Sequence, residues 1–128
     1  MATVVVNGGK QQISNALVTP QKYGQWGTGA GTAAVADTGL FSTASTTEAR
    51  VAATQTQVTG AQTLGKIQYA FTITAAGART ILEVGLFDAA GSGSPPTGGN
   101  FFIHADHGST ALSTNDSIAY TVQVDFTP

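Results

Sequence analysis

The chain has 128 residues, enough for one domain with a core of its own, and no cysteine, so no disulfide framework exists and the redox compartment is left open. Charged residues make up 9% of it, against about 25% in ordinary soluble domains, and Thr, Ala, Ser, Gln and Gly take their place. The formal net charge is -2 and the five cations, Lys10, Lys22, Arg50, Lys66 and Arg79, are dispersed; this excludes a basic stripe that could neutralise a row of phosphates, so no nucleic-acid partner is expected.

Residues 1–6 lack the charged and long apolar regions of a secretory signal. No apolar run approaches the roughly 20 residues that span a bilayer, so no membrane partner is expected. The β-branched run at 3–6, closed by Asn7-Gly8-Gly9, predicts an edge strand followed by a turn. Residues 10–18 place Ile13, Ala16 and Leu17 at helical spacing, which fits one short helical turn capped by Ser14 or Asn15 and ended by Pro20. Residues 1–22 thus read as an N-terminal arm or edge strand of a single domain spanning 1–128.

Tyr23 and the only tryptophan, Trp26, follow. Trp26 reads first as a core anchor, because buried aromatics dominate packing, and second as an exposed anchor at a protein contact. Residues 27–39 superficially carry Gly-x-Gly spacing. Gly27, Gly29 and Gly31 give no G-x-G-x-x-G and no Gly-Lys-Ser/Thr follows, so no nucleotide or other cofactor is expected. The stretch reads as a long flexible loop reaching a neighbour, pinned to the core by Leu40 and Phe41.

Residues 50–59 alternate Thr, Gln, Val and Ala as a strand, and Thr59-Gly60-Ala61 reads as a turn. Residues 64–75 have the best periodicity in the chain. Ile67, Tyr69, Phe71 and Ile73 share one face, and Lys66, Gln68, Ala70, Thr72 and Thr74 the other. Ala76-Gly77-Ala78 reads as a tight connection, with residues 79–88 returning antiparallel in a hairpin. Both faces of 79–88 carry bulk, which makes it a central strand covered on more than one side. Mid-strand Gly85 marks a bulge or the approach of an aromatic ring, Tyr69 or Phe71. Glu83, set among apolar residues, needs a partner if covered, and Arg79 or Arg50 are the candidates. Residues 89–100 are a loop by every breaker signal, 101–105 a strand, 106–116 a polar connection, and 117–126 a closing strand with Ile118, Tyr120, Val122, Val124 and Phe126 on one face. Strands joined by Gly-rich turns point to an all-β, antiparallel β-sandwich, jelly-roll-like, with long Gly/Thr/Ser-rich loops.

No arrangement reads as catalytic. His104, Asp106 and His107 are the only cluster of metal-ligand types, and a solvated strand end is preferred over a metal site, since zinc needs ligands that are not near in sequence. Asp88, Asp106, Asp116 and Asp125 lack the spacing of a calcium loop, and Asp116 reads as a turn residue. No serine stands in a nucleophile elbow, and Glu48 with Glu83 as a glycosidase pair has no further support. The expectation is a protein that is not an enzyme, with no metal and no cofactor.

Trp26-Gly27-Thr28-Gly29, Asp37-Thr38-Gly39-Leu40, Arg50, the run from Ile81 to Ala89, and Ser113-Thr114-Asn115-Asp116-Ser117 before an alternating last strand together resemble β-rich structural proteins of tailed bacteriophages, especially capsid decoration (cement) proteins. Related segments occur in tail-fibre and baseplate-type proteins. The resemblance begins near Tyr23. It implies a virion protein at the capsid surface, made in the host cytoplasm. Such a protein bridges neighbouring major capsid protein subunits, often as a homotrimer. Expected contacts lie in the arm (Val4, Val5), around the first loop (Tyr23, Trp26, Thr28, Thr32) and in the second loop (Pro95, Pro96). The alternative is a tail module stacking host glycans on Tyr23, Trp26 or Tyr120.

Overall fold

The computed structural model describes residues 1–58 and 66–125. It is an all-β sandwich of two antiparallel sheets with one helix: α1 (Asn7–Val18), β1 (Tyr23–Gly27), β2 (Val51–Ala52), β3 (Thr54–Val58), β4 (Lys66–Thr74), β5 (Arg79–Phe87), β6 (Phe101–Leu112) and β7 (Ser117–Val124). One sheet has the order β2-β1-β5-β6 and the other β3-β4-β7.

Period two decides the interior. Ile67, Tyr69, Phe71 and Ile73 of β4 meet Ile81, Val84 and Leu86 of β5 and Trp26 of β1 across the gap. Ile118, Tyr120, Val122 and Val124 of β7 pack beside them. The alternating faces of 64–75 and 117–126 are therefore seen as expected. Leu64, Phe126 and the Thr59-Gly60-Ala61 turn lie outside the described residues.

Sheet membership corrects the hairpin expected of 64–75 and 79–88. β4 pairs with β3 and β7, while β5 pairs with β1 and β6. A short link serves a hairpin or a crossing between sheets equally well, and here Ala75–Ala78 crosses. Ala75, buried, closes the end of β4 against the last turn: its N–H donates to the Asp116 carbonyl (2.7 Å) and its carbonyl accepts from Asn115 (2.8 Å). The strand expected over 50–59 is also split. It leaves one sheet at Ala52 and enters the other at Thr54, with buried Ala53 donating to the Lys22 carbonyl at 2.9 Å.

Three further expectations are revised. The segment 3–6 forms no strand, and Gly8-Gly9 lie inside α1. The helix has no side-chain N-cap. It is held instead at its other end, where the last carbonyls need donors from outside. Tyr69 Oη donates to the Leu17 carbonyl (3.1 Å), Gln55 Nε2 to those of Val18 and Pro20, and Gln57 Nε2 reaches Ser14 and Asn15. Residues 23–27, for which no element was expected, form β1. Finally β6 runs to Leu112, through part of the expected polar connection, because a register shift opposite Leu82 absorbs the extra residues between Asp106 and Thr110. That shift also lets Ile81 join the core while Glu83, Gly85 and Phe87 face outward behind Val84 and Leu86.

β5 is central and covered on both faces. Its outer cover is irregular chain, residues 28–50 and 88–100, which hold no named helix or strand. The ring against Gly85 is that of Phe101; a Cβ there would stand 2.3 Å from it. Phe71 instead presses on Gly24, where a Cβ would meet it at 2.2 Å.

Candidate functional site

The outer face of β5 carries a connected set of polar contacts around Glu83. Glu83, with no exposed surface, lies between Gly27 of β1 and Asp106 of β6 in the register. Neither Arg79 nor Arg50 is its partner. Oε1 accepts from the Phe41 N–H at 2.7 Å and stands 2.9 Å from His104 Nε2; Oε2 accepts from Gly29 (2.9 Å) and Ser42 (3.0 Å). A carboxylate that accepts three main-chain N–H groups this way needs no arginine beside it. Gly27 and Gly29 allow the approach, since a Cβ on either would come within 2.7 Å of the Glu83 side chain.

His104 continues the chain of contacts. Its Nδ1 is 2.6 Å from Asp37 Oδ2, and its ring is packed by Phe41 (4.6 Å between centroids) and Phe101 (5.2 Å). Each ring nitrogen thus faces one carboxylate, Nδ1 that of Asp37 and Nε2 that of Glu83. The Ala34 N–H and then His104 hold the Asp37 carboxyl below its ordinary range. Asp106 Oδ1 takes the Ala33 N–H at 2.8 Å. His104 and Asp106 thus face one way and His107 the other, where Nε2 meets Tyr120 Oη at 3.1 Å. The expected solvated strand end is not seen: the His104 side chain is 5% exposed in mid-strand. Among the described residues no group of three or more His, Cys, Asp or Glu is placed to hold a metal ion.

The same arrangement recurs elsewhere. Glu48 Oε1 takes the Ala76 N–H (2.9 Å), and Oε2 takes those of Thr47 (3.0 Å) and the Trp26 indole (3.2 Å). Burial pushes the Glu48 carboxyl up, but the Ala76, Glu48 and Thr47 amides and the indole outweigh it, leaving it below its ordinary value. Arg79 Nε stands 3.2 Å from Oε1, an ion pair whose angle misses a hydrogen bond. Asp88 accepts the N–H and side-chain amide of Asn100, and these hold its carboxyl low. Asp116 accepts the Ser113 N–H at 2.7 Å, the turn role expected of it. Asp125 pairs with Lys66 at 3.3 Å. Arg50, buried, works from the other charge: Nε donates to Gln25 Oε1 (2.8 Å), Nη1 to the carbonyls of Ala89 (2.9 Å) and Gly98 (2.8 Å), and the guanidinium lies over Phe87 at 3.7 Å.

Comparison with known protein families, curated proteins and solved structures returns no match. The chemistry of the site therefore rests on its geometry. Both oxygens of Glu83 and both nitrogens of His104 are already engaged. Glu48 and Glu83 accept the amides of different segments, Thr47 and Ala76 for the first and Gly29, Phe41 and Ser42 for the second. A groove of about 430 Å³ beside His104, walled by Ala33, Ala34, Val35 and Phe101, is left uncharged apart from Asp37 and His104.

The sequence-predicted contact residues divide by exposure. Val4, Val5 and Thr32 are exposed. Tyr23 and Pro95 are half-buried, as is Thr28, whose hydroxyl donates to the Ala44 carbonyl at 3.0 Å. Trp26 is 1% exposed and is a core residue, the first of its two readings. Pro96 is buried, its carbonyl facing Gln25 Nε2 at 3.3 Å. Asp37, His104 and Val35 were not on that list. The signal for the first two was Glu83 itself, a covered carboxylate with glycines nearby whose amides were free to reach it.

Proposed function

We propose that this chain is a virion structural protein of a tailed bacteriophage that decorates the capsid shell, bridging neighbouring major capsid protein subunits. One observation carries the reading beyond the sequence resemblance. Six of the seven carboxylates, Asp37, Glu48, Glu83, Asp88, Asp106 and Asp116, accept main-chain N–H groups of connecting segments. The charges are used to hold loops down, even where Asp88, Asp106 and Asp116 stay exposed, and the arm and the first loop present exposed apolar or neutral side chains: Val4, Val5, Val6 and fully exposed Val35 with Thr32. Three stretches behind the resemblance, Trp26–Gly29, Asp37–Leu40 and Ile81–Ala89, also meet around Glu83. Loops ordered before docking lose less entropy on association. The glycan-stacking alternative is less favoured, because Trp26 is buried, Tyr23 is half-buried and Tyr120 is half-buried against Phe71.

The test is the copy number of the protein in purified particles, by mass spectrometry against the major capsid protein. A shell component is present in the hundreds; single digits would assign it to the tail, and absence would end the virion reading. A Val35→Asp variant is expected to fold normally and lose shell binding.

A further inference from the structure

We infer that residues 1–6 of one copy add as a strand to the free edge of β7 in a second copy, closing the mouth between the two sheets. The four sheet edges are not equivalent. Native edges are guarded by shortness, cover, charge or bulges. β2 is two residues long. β3 is covered by α1, through Gln57 to Ser14 and Asn15. β6 carries Asp106 and two register shifts. β7 has none of these: eight residues, Ser-Ile-Ala-Tyr-Thr-Val-Gln-Val, without charge or proline, in unbroken register with β4 from Ile67↔Val124 to Thr74↔Ser117. Among the described residues nothing pairs with its other side.

The mouth beside it is apolar. Val84, Ala105, Ile118, Tyr120 and Val122 line a cavity of about 330 Å³ between β6 and β7. The chain also carries a segment of the complementary kind. Val4, Val5 and Val6 are 76%, 57% and 65% exposed, and Val6 is extended, with φ -74 and ψ 168. Residues 1–6 contain no charged side chain and no proline, and β-branched residues favour strands. Six residues span about 20 Å at roughly 3.4 Å each, within the length of β7. Alternation would turn Val4 and Val6 to the mouth and Val5 away, or the reverse one register on. Among the described residues of the single chain, no strand pairs with the arm or with this edge, so each supplies what the other lacks. A donor-to-acceptor contact of this kind is heterologous; repeated, it closes a ring or grows a filament.

The chain contains no cysteine, which permits a direct test. Purified Val5→Cys and Thr121→Cys chains, mixed and oxidised, are expected to give a mixed disulfide dimer. Val5→Cys with Ala36→Cys, an exposed site on the first loop, should give none. Equal yields from the two mixtures would overturn the inference. Light scattering adds a second reading. The full chain is expected to be oligomeric and a deletion of residues 2–5 monomeric with the same circular dichroism spectrum. The deletion keeps Val6, whose carbonyl accepts the Lys10 N–H at 3.0 Å in the first helical turn. A monomeric full chain at micromolar concentration would refute strand donation. No capsid enters either experiment, so a monomer found on shells would sink this inference alone, and an oligomer absent from virions the proposed function alone.

Discussion

Glu83→Gln tests the central contact most sharply. The variant keeps the shape and one acceptor oxygen. Its amide group must then face either Gly29 and Ser42 or Phe41 and His104. The second orientation costs less, because a neutral His104 can accept from the new amide at Nε2 while its Nδ1–H stays on Asp37. Even so the Phe41 N–H loses its acceptor, which costs about 2 kcal/mol for a buried donor. The bonds to Gly29 and Ser42 drop from charge-assisted to neutral, at about 0.5–1 kcal/mol each. The sum, about 3–4 kcal/mol, is a large share of the ~5–15 kcal/mol that stabilises a domain of this kind. At roughly 4 °C per kcal/mol it lowers Tm by about 12–16 °C. Urea unfolding followed by Trp26 emission reads the global loss. Hydrogen exchange should show Gly29, Phe41 and Ser42 losing protection before β4 does. A loss under about 1 kcal/mol, with those three amides still protected, would refute the idea that Glu83 holds the first loop.

Four other outcomes follow from the same contacts. Arg50→Lys removes the Gln25 bond, one carbonyl bond and the stack on Phe87, and should cost about 2–3 kcal/mol in thermal unfolding, with faster exchange across 89–98; an unchanged Tm would contradict it. Gly24→Ala is expected to destabilise by about 1–3 kcal/mol and Gly85→Ala by less, because Phe71 is locked in the core while Phe101 is half-buried and can give way; calorimetry decides the order. Asp37, Glu48 and Asp88 all have carboxyls held low in the fold, so the stability they contribute is present above their unfolded pKa near 4 and is lost as pH falls below it; the urea midpoint should be level from about pH 7 to 5 and drop toward pH 3. Trp26 emission should be blue-shifted and unquenched by iodide, and a red-shifted, quenched spectrum would place the ring outside the core.

Regular alternation made the sandwich legible. β4 and β7 each turn bulky residues to one side for their whole length, and only a pleated, half-buried strand requires that. What periodicity does not carry is the identity of the neighbour. Ala75–Ala78 is as short as a hairpin turn, yet it crosses to the other sheet, and only the pairing of β1 with β5 explains why. The helix was underestimated for the same reason. Its own N-terminus is poor, with two glycines and no cap, while the donors that complete its C-terminal turn are Gln55 and Tyr69, distant in sequence. The Glu83 site was half legible. The need for a partner is read from the strand, but its nature is not: the donors are amides of a glycine-bearing loop, with His104 beside them, and no side-chain pattern marks a main-chain donor.

Low charge and firmly held loops are two sides of one arrangement. A carboxylate at the surface of an ordinary domain is solvated and adds to repulsion between copies. Here Glu83, Glu48 and Asp37 turn inward to main-chain N–H groups, so each both fixes a loop and leaves the exterior without its charge. The first effect lowers the ordering cost of docking, and the second removes a long-range barrier between neighbouring copies. Both favour association through neutral surface, which is where Val35 and the Val4–Val6 arm lie. Charges added at those positions touch none of the inward bonds. They test the proposed assembly apart from folding in a way that substitutions at Glu83 or Arg50, which take the loops with them, do not.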